Sequence, residues 1–133
     1  MNITEAAMDL IKVVCGIIKN DEKYFVCRRK PEKSQGGYWE FPGGKIEPYE
    51  SSQVALIREL EEELKMEVEI LDHIGTSMFT YEKFNCELQG FLCSLKSYEG
   101  FLSDHDAFAW VGKEEMDQLK MAPADRPLIE LIP

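Results

Sequence analysis

Three glutamates in the middle of this 133-residue chain are spaced so that they can act together on a metal ion. Glu59, Glu62 and Glu63 stand at i, i+3 and i+4, and a helix places side chains at that spacing on one face. Like charges at this spacing repel, and each pair destabilises a helix by a few tenths of a kcal/mol. A divalent cation would offset the repulsion, and carboxylate oxygens suit Mg²⁺ or Mn²⁺. The same spacing is also typical of a solvated acidic face, so the surrounding residues decide.

The helix that must carry these glutamates has a predicted start, end and buried face. Ser51 is the predicted N-cap, and the helical pattern continues to about Leu64. Val54, Ile57, Leu60 and Leu64 fall within about 120° of arc on a helical projection. They predict an apolar stripe that packs on the core, with the glutamates nearly opposite.

A Gly-Gly pair and an arginine complete a longer pattern around the glutamates. After Gly43-Gly44 come five residues, Glu50, seven residues and Arg58-Glu59; Glu62-Glu63 follow after two more residues. This spacing resembles the Nudix box of the Nudix hydrolases at every charged position. One position differs, because the box has a glycine where this chain has Lys65. A lysine in the left-handed conformation typical of that position would cost about 1 kcal/mol, unless the helix ends in another way.

The resemblance extends beyond the box and implies a fold. Residues 38–47 (YWEFPGGKIE) and 121–132 (MAPADRPLIELI) are similar to segments of the MutT-like branch, which hydrolyses nucleoside triphosphates to a monophosphate and pyrophosphate. The family implies an α/β/α sandwich around a mixed β-sheet, in which the box forms a loop, a helix and a second loop. The order of the predicted elements also indicates an α+β fold.

The other strands and helices are predicted from hydrophobic patterns and turn residues. Residues 11–18 and 23–27 are expected to form a hairpin. Further strands are expected at residues 67–71, 74–79, 86–95 and 108–111, and helices at 113–121 and 126–131. Residues 1–9 are expected to be a short helix or a loose end.

The resemblance implies a metal site and assigns its ligands. Glu59, Glu62 and Glu63 match the metal-binding carboxylates of the box. The backbone carbonyl of Gly43 or Gly44 is expected to be a further ligand. The implied cofactor is Mg²⁺ or Mn²⁺, and the implied substrate is a nucleotide.

The implied chemistry also needs an orienting group and a general base. Arg58 matches the box arginine, which pairs with Glu50 and orients the metal ligands. The alternative is an ordinary surface ion pair between Arg58 and Glu62, one helical turn further along. A bound metal would lower the pKa of a water molecule, and a carboxylate would then take the proton. Glu59 is the first candidate for this base, and Asp104 is the second because the MutT-like branch often has a carboxylate in that loop. His105 is expected to be an ordinary loop histidine.

Four residues outside the box helix are assigned to substrate binding. Arg29 lies where relatives have an arginine near the phosphates, although it can equally be a surface charge at a strand end. Glu40 is expected to point away from the core. Phe41 or Tyr81 could stack on the base, and the alternative for each is to pack in the core. Asp125 either caps the final helix or faces the base. If ionised it would accept from an amino group such as that of cytosine, and if protonated it would donate to an oxidised purine.

Composition and charge limit the remaining possibilities. Hydrophobic residues make up 44% and charged residues 30% of the chain, and the net charge of −10 argues against nucleic-acid polymers as partners. No apolar run approaches the ~20 residues of a membrane span, and the first residues lack a signal-peptide pattern. The four cysteines lack metal-binding spacing and are expected to be reduced and buried. We therefore expect one cytoplasmic domain over residues 1–133, a monomer or homodimer without membrane partners.

The leading functional hypothesis is a MutT-like pyrophosphohydrolase for 8-oxo-dGTP, CTP or modified dCTP. A second hypothesis is a Nudix hydrolase for ADP-ribose or dinucleoside polyphosphates, which the compact chain disfavours. A third is a catalytically inactive module that senses nucleotides. The complete set of box glutamates argues against the third.

Overall fold

A computed structural model describes residues 8–133 of the chain. The short helix or loose end expected at residues 1–9 falls almost entirely outside the described residues. The strands are β1 Leu10–Asn20, β2 Lys23–Arg29, β3 Trp39–Glu40, β4 Gly43–Lys45, β5 Glu67–Thr80, β6 Asn85–Ser97 and β7 His105–Val111. The helices are α1 Ser52–Leu64, α2 Lys113–Met116 and α3 Arg126–Ile129.

Strand β1 organises a mixed seven-stranded sheet. It pairs antiparallel with β4 and parallel with β6, and its last residues form the predicted hairpin with β2. Strands β3 and β7 both pair with β2, and β5 continues the sheet beyond β6. Because β3 pairs with β2 while β4 pairs with β1, the short connection between β3 and β4 crosses from one part of the sheet to the other.

Helices cover both faces of the sheet, and the alternation along β1 shows this. Cys15 and Ile17 point into the core that includes residues of α2 and α3, and Val14 and Ile18 into the core that includes α1. All four are buried because both faces of the strand are covered. The α+β sandwich confirms the predicted fold class.

Two strands of the structure, β5 and β7, differ from the strands predicted in their regions. The strands expected at residues 67–71 and 74–79 form a single strand, β5, in which register shifts absorb the irregular residues between them. The strand expected at residues 108–111 begins at His105, so the interpretation of His105 as a loop residue is wrong. Its backbone pairs with Arg29 of β2, which extends the strand past the polar residues that had suggested a loop.

Both helices predicted near the end of the chain are shorter than expected. The helix expected at residues 113–121 ends at Met116, so that prediction is wrong for its second half. Trp39 N donates to Lys120 O at 2.9 Å, and Ala122 N donates to Trp39 O at 2.7 Å. This extended pairing with β3 prevents the helix from continuing. Helix α3 ends at Ile129 rather than at about residue 131.

Helix α1 begins and ends as the sequence predicts. Ser51 Oγ accepts a hydrogen bond from Val54 N at 3.2 Å. Lys65 adopts the left-handed conformation, with φ 51° and ψ 42°. The N–H groups of Lys65 and Met66 donate back to carbonyls of the last helical turn at 3.0 and 3.2 Å. The lysine therefore takes the conformation that the box glycine would have, at the expected cost of about 1 kcal/mol.

The predicted buried face of α1 is wrong for two of its four residues. Val54 and Ile57 are 57% and 45% exposed. The residues that α1 buries are Ala55, Leu56, Leu60 and Leu64. The helix is rotated towards Glu59 and Glu63, which are partly buried at the edge of this face rather than opposite it. An apolar count along the helix misses this rotation because it assigns every carboxylate to solvent.

The four cysteines are free and buried, as predicted. Burial raises the pKa of the Cys15 and Cys27 thiols well above the ordinary value, so both remain protonated near neutral pH. Among the helices of the described residues, none has the length and apolar character needed to cross a membrane.

Candidate active site

The Gly-Gly pair of β4 is where the box loop meets both the sheet and α1. A Cβ atom at Gly43, which pairs with Cys15, would overlap Val14 O. A Cβ atom at Gly44 would overlap the carboxyl group of Glu59. Glycine is therefore needed at the first position for strand pairing, and at the second so that a glutamate from α1 can reach the backbone of β4.

Arg58 links the box loop, β4 and the glutamates of α1. Its Nε donates to Glu50 Oε2 at 3.1 Å, and its Nη2 donates to Lys45 O at 3.2 Å. Its Nη1 donates to Glu59 Oε1 at 3.0 Å and to Glu62 Oε2 at 3.2 Å. The hydrogen bonds to Glu50 raise the pKa of Arg58 and lower the pKa of Glu50, so the pair stays charged. Both contacts considered from the sequence are present, and Arg58 holds two of the predicted metal ligands.

The three box glutamates differ in exposure and protonation. Burial raises the pKa of Glu59, although Arg58 opposes the shift. Burial, together with Glu59 and Asp104, raises the pKa of Glu63 to about 8. The Glu62 side chain is 59% exposed. Partly buried carboxyls that repel each other fit a divalent cation, because its charge would offset both the desolvation and the repulsion.

Asp104, the second candidate for the general base, lies next to this acidic face. Its Oδ1 is 3.4 Å from Lys33 Nζ. Burial acts to raise the pKa of Asp104, but the Lys33 ammonium outweighs it and the pKa is lowered. The structure therefore brings an ionised carboxylate to the side of Glu63.

A cleft of about 480 Å³ lies beside the glycine pair. The four predicted substrate residues, Arg29, Glu40, Phe41 and Asp125, all line it. They come from β2, β3 and the segment before α3, and are brought together by the fold. Gly44 borders the cleft, and the Glu59 carboxyl group lies directly against Gly44. The cleft and the acidic face of α1 are therefore adjacent.

Asp125 is buried in the wall of this cleft and does not cap α3. Asp125 stands at the predicted N-cap position of α3, but the predicted capping role is wrong, because its side chain makes no capping hydrogen bond. Instead Asp125 Oδ2 accepts a hydrogen bond from Phe41 N at 2.9 Å, which turns the carboxyl towards β3. Burial, followed by the nearby charge of Glu40, raises the pKa of Asp125 well above its usual range. Asp125 thus holds a proton at pH values where an ordinary aspartate has lost it.

Glu40 is the second carboxyl of the cleft and is held from two sides. His105 Nε2 lies 2.8 Å from Glu40 Oε2, and Arg29 Nη1 lies 3.5 Å from the same oxygen. Arg29 Nε also donates to Ser34 O at 2.7 Å. Arg29 is therefore built into the cleft wall rather than being a free surface charge, and its contact with a phosphate remains a prediction.

The core alternative is correct for the Phe41 ring, whereas Tyr81 lines the cleft. Phe41 is 2% exposed, so its ring belongs to the core while its N–H holds Asp125. Tyr81 is less buried and pairs with Phe84, with ring centroids 5.1 Å apart at 27°. Sequence analysis missed Phe84. The turn between β5 and β6 is the feature that could have identified it. In this turn Tyr81 N donates to Phe84 O at 2.8 Å, and both rings line the cleft.

Lys45 and His105 are two further residues at or beside the cleft to which sequence analysis gave no functional role. Lys45 lines the cleft directly after the glycine pair. Cys27 Sγ, a Glu40 oxygen and a His105 nitrogen lie within 4.8 Å of one another, and both Cys27 and His105 are buried. His105 Nδ1 has no hydrogen-bond partner among the described residues.

Comparisons with known proteins agree with this geometry. A family model described as NUDIX domain matches residues 13–131. The chain is 37% identical over 125 residues to the CTP pyrophosphohydrolase of Escherichia coli (strain K12), covering 92% of this chain and 91% of that protein. It is 34% identical over 117 residues to the putative 8-oxo-dGTP diphosphatase 2 of Mycobacterium tuberculosis (strain CDC 1551 / Oshkosh), covering 86% and 82%.

One solved relative supports the same assignment. It is the solution NMR structure of the DNA mismatch repair protein MutT, family Nudix hydrolase, from methicillin-resistant Staphylococcus aureus 252. It has a TM-score of 0.75 and 35% identity, covering 92% of this chain and 95% of that one. The sequence resemblance is thereby confirmed. The chain belongs to the Nudix family and is a MutT-like Nudix hydrolase.

Proposed function

We propose that this enzyme hydrolyses nucleoside triphosphates that carry cytosine or a modified cytosine, releasing the monophosphate and pyrophosphate. The reaction class rests on its Nudix membership and on relatives named CTP pyrophosphohydrolase and 8-oxo-dGTP diphosphatase. The choice of base rests on two carboxyl groups of the cleft, Glu40 and Asp125, whose surroundings differ.

The different burial and hydrogen bonding of these two carboxyls is the observation that carries the base assignment. Cytosine presents an amino group, which needs an acceptor, beside a ring nitrogen that needs a donor. Asp125 supplies the donor because burial and Glu40 raise its pKa. Glu40 supplies the acceptor, since its Oε2 is engaged by His105 and Arg29 and its Oε1 is left for the amino group. A typical hydrogen bond of this kind contributes about 0.5–1.5 kcal/mol net.

The proposed cofactor is Mg²⁺ or Mn²⁺, held by Glu59, Glu62 and Glu63 with a carbonyl of the β4 glycine pair. When bound, the metal would supply a water molecule of lowered pKa and neutralise phosphate charge. Glu59 is the proposed general base, because its carboxyl group belongs to the glutamate cluster and lies against Gly44 of β4. Arg58 orients this carboxylate through its 3.0 Å hydrogen bond.

An oxidised purine nucleotide such as 8-oxo-dGTP is the second candidate substrate. The proton on Asp125 can also be donated to a purine carbonyl oxygen, and the Tyr81–Phe84 pair offers aromatic surface for a larger base. The M. tuberculosis relative, whose name is putative 8-oxo-dGTP diphosphatase 2, is 34% identical to this chain and supports this candidate. Both candidate substrates would therefore accept a hydrogen bond from Asp125, and they differ in the group that would donate to Glu40.

The experiment is pyrophosphate release with Mg²⁺ across CTP, dCTP, 5-methyl-dCTP, the other common triphosphates, 8-oxo-dGTP, ADP-ribose and a dinucleoside polyphosphate. We expect the highest kcat/KM for a cytosine triphosphate. A clear preference for 8-oxo-dGTP would refute the base assignment and leave the reaction class intact. Turnover of ADP-ribose or dinucleotides alone would move the enzyme to another Nudix branch.

A matched pair of variants separates an enzyme from an inactive sensor. Glu62→Gln removes one metal-binding charge and keeps an oxygen for Arg58, whereas Glu61→Gln removes an exposed charge one residue away. We expect E62Q to lose about 100-fold in kcat and E61Q to match the wild type. Equal nucleotide binding by all three proteins, with no turnover in any, would support the sensor hypothesis instead.

A further inference from the structure

We propose that His105 is a positioning residue for base selection, which fixes the Glu40 carboxylate so that one oxygen faces the nucleobase. This inference rests on the proposed function of Glu40. It starts from the β-bulge where β7 meets β2. Arg28 pairs with Ala107, but Arg29 pairs with His105, so Asp106 is an extra residue in β7.

The bulge decides which face of the sheet His105 occupies. Side chains alternate along a strand, and Ala109 and Val111 pack into the core that includes α2 and α3. An unbroken strand would put residue 105 on that same face. The extra residue reverses the alternation, and His105 instead lies beside Cys27, which belongs to the opposite core.

The bulge is held by an ion pair of its own. Arg28 Nε lies 2.8 Å from Asp106 Oδ1, and both side chains are partly exposed. The adjacent backbone is also bonded, because Lys30 N donates to Asp104 O at 3.2 Å. Contacts on both sides of the extra residue thus favour the turned position of His105.

The buried surroundings of His105 fix the direction of its hydrogen bond. Its side chain is fully buried, and Nδ1 has no partner among residues 8–133. The hydrogen bond to the Glu40 carboxylate requires the proton on Nε2, at 2.8 Å from Oε2. A buried site with one unpaired nitrogen is a poor place for histidine if packing were its only role. The hydrogen bond to Glu40 explains why a histidine stands at position 105.

Restraint of Glu40 by His105 has a consequence for selectivity. Arg29 approaches the same oxygen at 3.5 Å, so both partners act on Oε2 and leave Oε1 for the base. If His105 could not donate, Glu40 would be free to turn towards Arg29. The acceptor would then leave its place while the metal site stayed intact. The loss should therefore appear in binding and selectivity among bases, with kcat little changed.

The test compares His105→Leu with His105→Gln, using whichever triphosphate the wild type prefers. Leucine has similar bulk and no donor, whereas the amide nitrogen of glutamine can reach the place of Nε2. We expect H105L to raise KM for the preferred base about tenfold, to change kcat less than threefold, and to reduce discrimination between bases. H105Q should recover most of the loss. His73→Gln, at the exposed histidine on β5, is the matched control and should have no effect.

A double-mutant cycle shows whether His105 acts through Glu40. The loss caused by H105L should disappear in the Glu40→Gln background, because the group that His105 positions is already altered. Equal losses in both backgrounds, or a fall in kcat for every triphosphate alike, would overturn the proposal. A wild type that prefers a purine would refute the cytosine assignment, and the cycle on that purine would still decide the role of His105.

A measurement on the unaltered protein covers the case in which H105L does not fold. Nitrogen-15 chemical shifts of the imidazole distinguish a protonated Nε2 from a protonated Nδ1. We expect His105 to carry its proton on Nε2. A proton on Nδ1 alone would overturn the proposal, since Nε2 could then not donate to Glu40.

Discussion

Replacing Gly44 by alanine should impair catalysis with little effect on stability. The new Cβ would lie 2.5 Å from Glu59 Oε2 and 2.7 Å from Oε1, whereas ordinary contacts begin at 3.4 Å. The carboxyl group must therefore move by roughly 1 Å, which it can do because it is the end of a flexible side chain. We expect the free energy of unfolding to change by less than about 1 kcal/mol. If Glu59 is the metal ligand and general base that we propose, a shift of this size should lower kcat about 100-fold.

Two other glycines provide the comparison. A Cβ at Gly43 would overlap the backbone of Val14, which cannot move without breaking the β1–β4 pairing. Gly43→Ala should therefore destabilise the protein by at least about 2 kcal/mol. A Cβ at Gly112 would meet Glu115 Oε1 at an ordinary 3.4 Å, so Gly112→Ala should keep full activity.

The assay combines pyrophosphate release at saturating Mg²⁺ and nucleotide with urea unfolding of the same preparations. The reasoning would be refuted if G44A kept kcat within threefold of the wild type, because Glu59 would then tolerate the displacement. It would also be refuted if G44A were as unstable as G43A. In that case the backbone of β4, rather than the Glu59 side chain, would have given way.

Three further predictions concern conformation and protonation. Lys65→Gly should raise the free energy of unfolding by about 1 kcal/mol in urea titrations, because glycine adopts the left-handed conformation without strain; Lys65→Ala should give no such gain. The pKa of Asp125 is raised in the folded state. Its stabilising contribution to the free energy of unfolding is therefore complete below the unfolded-state pKa and is lost as pH rises through the folded-state pKa. Asp125→Asn should therefore gain stability relative to the wild type as pH rises above about 4, and unfolding curves with a constant difference would contradict this. Mg²⁺ binding at pH 7 should release about one proton, because Glu63 has a pKa of about 8 without metal; calorimetry in buffers of different ionisation enthalpy should find no such release from Glu63→Gln.

The features that the sequence predicts well depend on local contacts. The N-cap at Ser51 and the left-handed residue at Lys65 need only a few neighbouring residues, and both are present. The spacing of the box glutamates likewise follows from helical geometry. The predicted buried face of α1 was partly wrong because Glu59 and Glu63 are both partly buried. Glu59 lies against Gly44 of β4, so a contact between distant segments decides the rotation of the helix.

The contacts that shape the substrate cleft could not be read from local patterns. Asp125 has the residue type and position of an N-cap, yet its carboxyl accepts from Phe41 N, 84 residues away in sequence. The helix expected after Lys113 ends early for a similar reason, since the following backbone is needed by Trp39. In each case a hydrogen bond to β3 or to the residue that follows it prevails over a local preference, because this segment borders the cleft.

The charge arrangement around Glu40 explains why the cleft and the metal face belong to one site. Glu40 contributes to the raised pKa of Asp125 on one side and of Glu63 on the other. At the base end the proton remains useful, because it makes Asp125 a donor. At the metal end it must leave, because a cation needs the ionised carboxylate. A bound cation would lower the pKa of Glu63 far more than that of Asp125, since electrostatic interactions weaken with distance. With the roles proposed above, metal binding can therefore complete the face formed by Glu59, Glu62 and Glu63 while Asp125, the proposed donor to the base, keeps its proton.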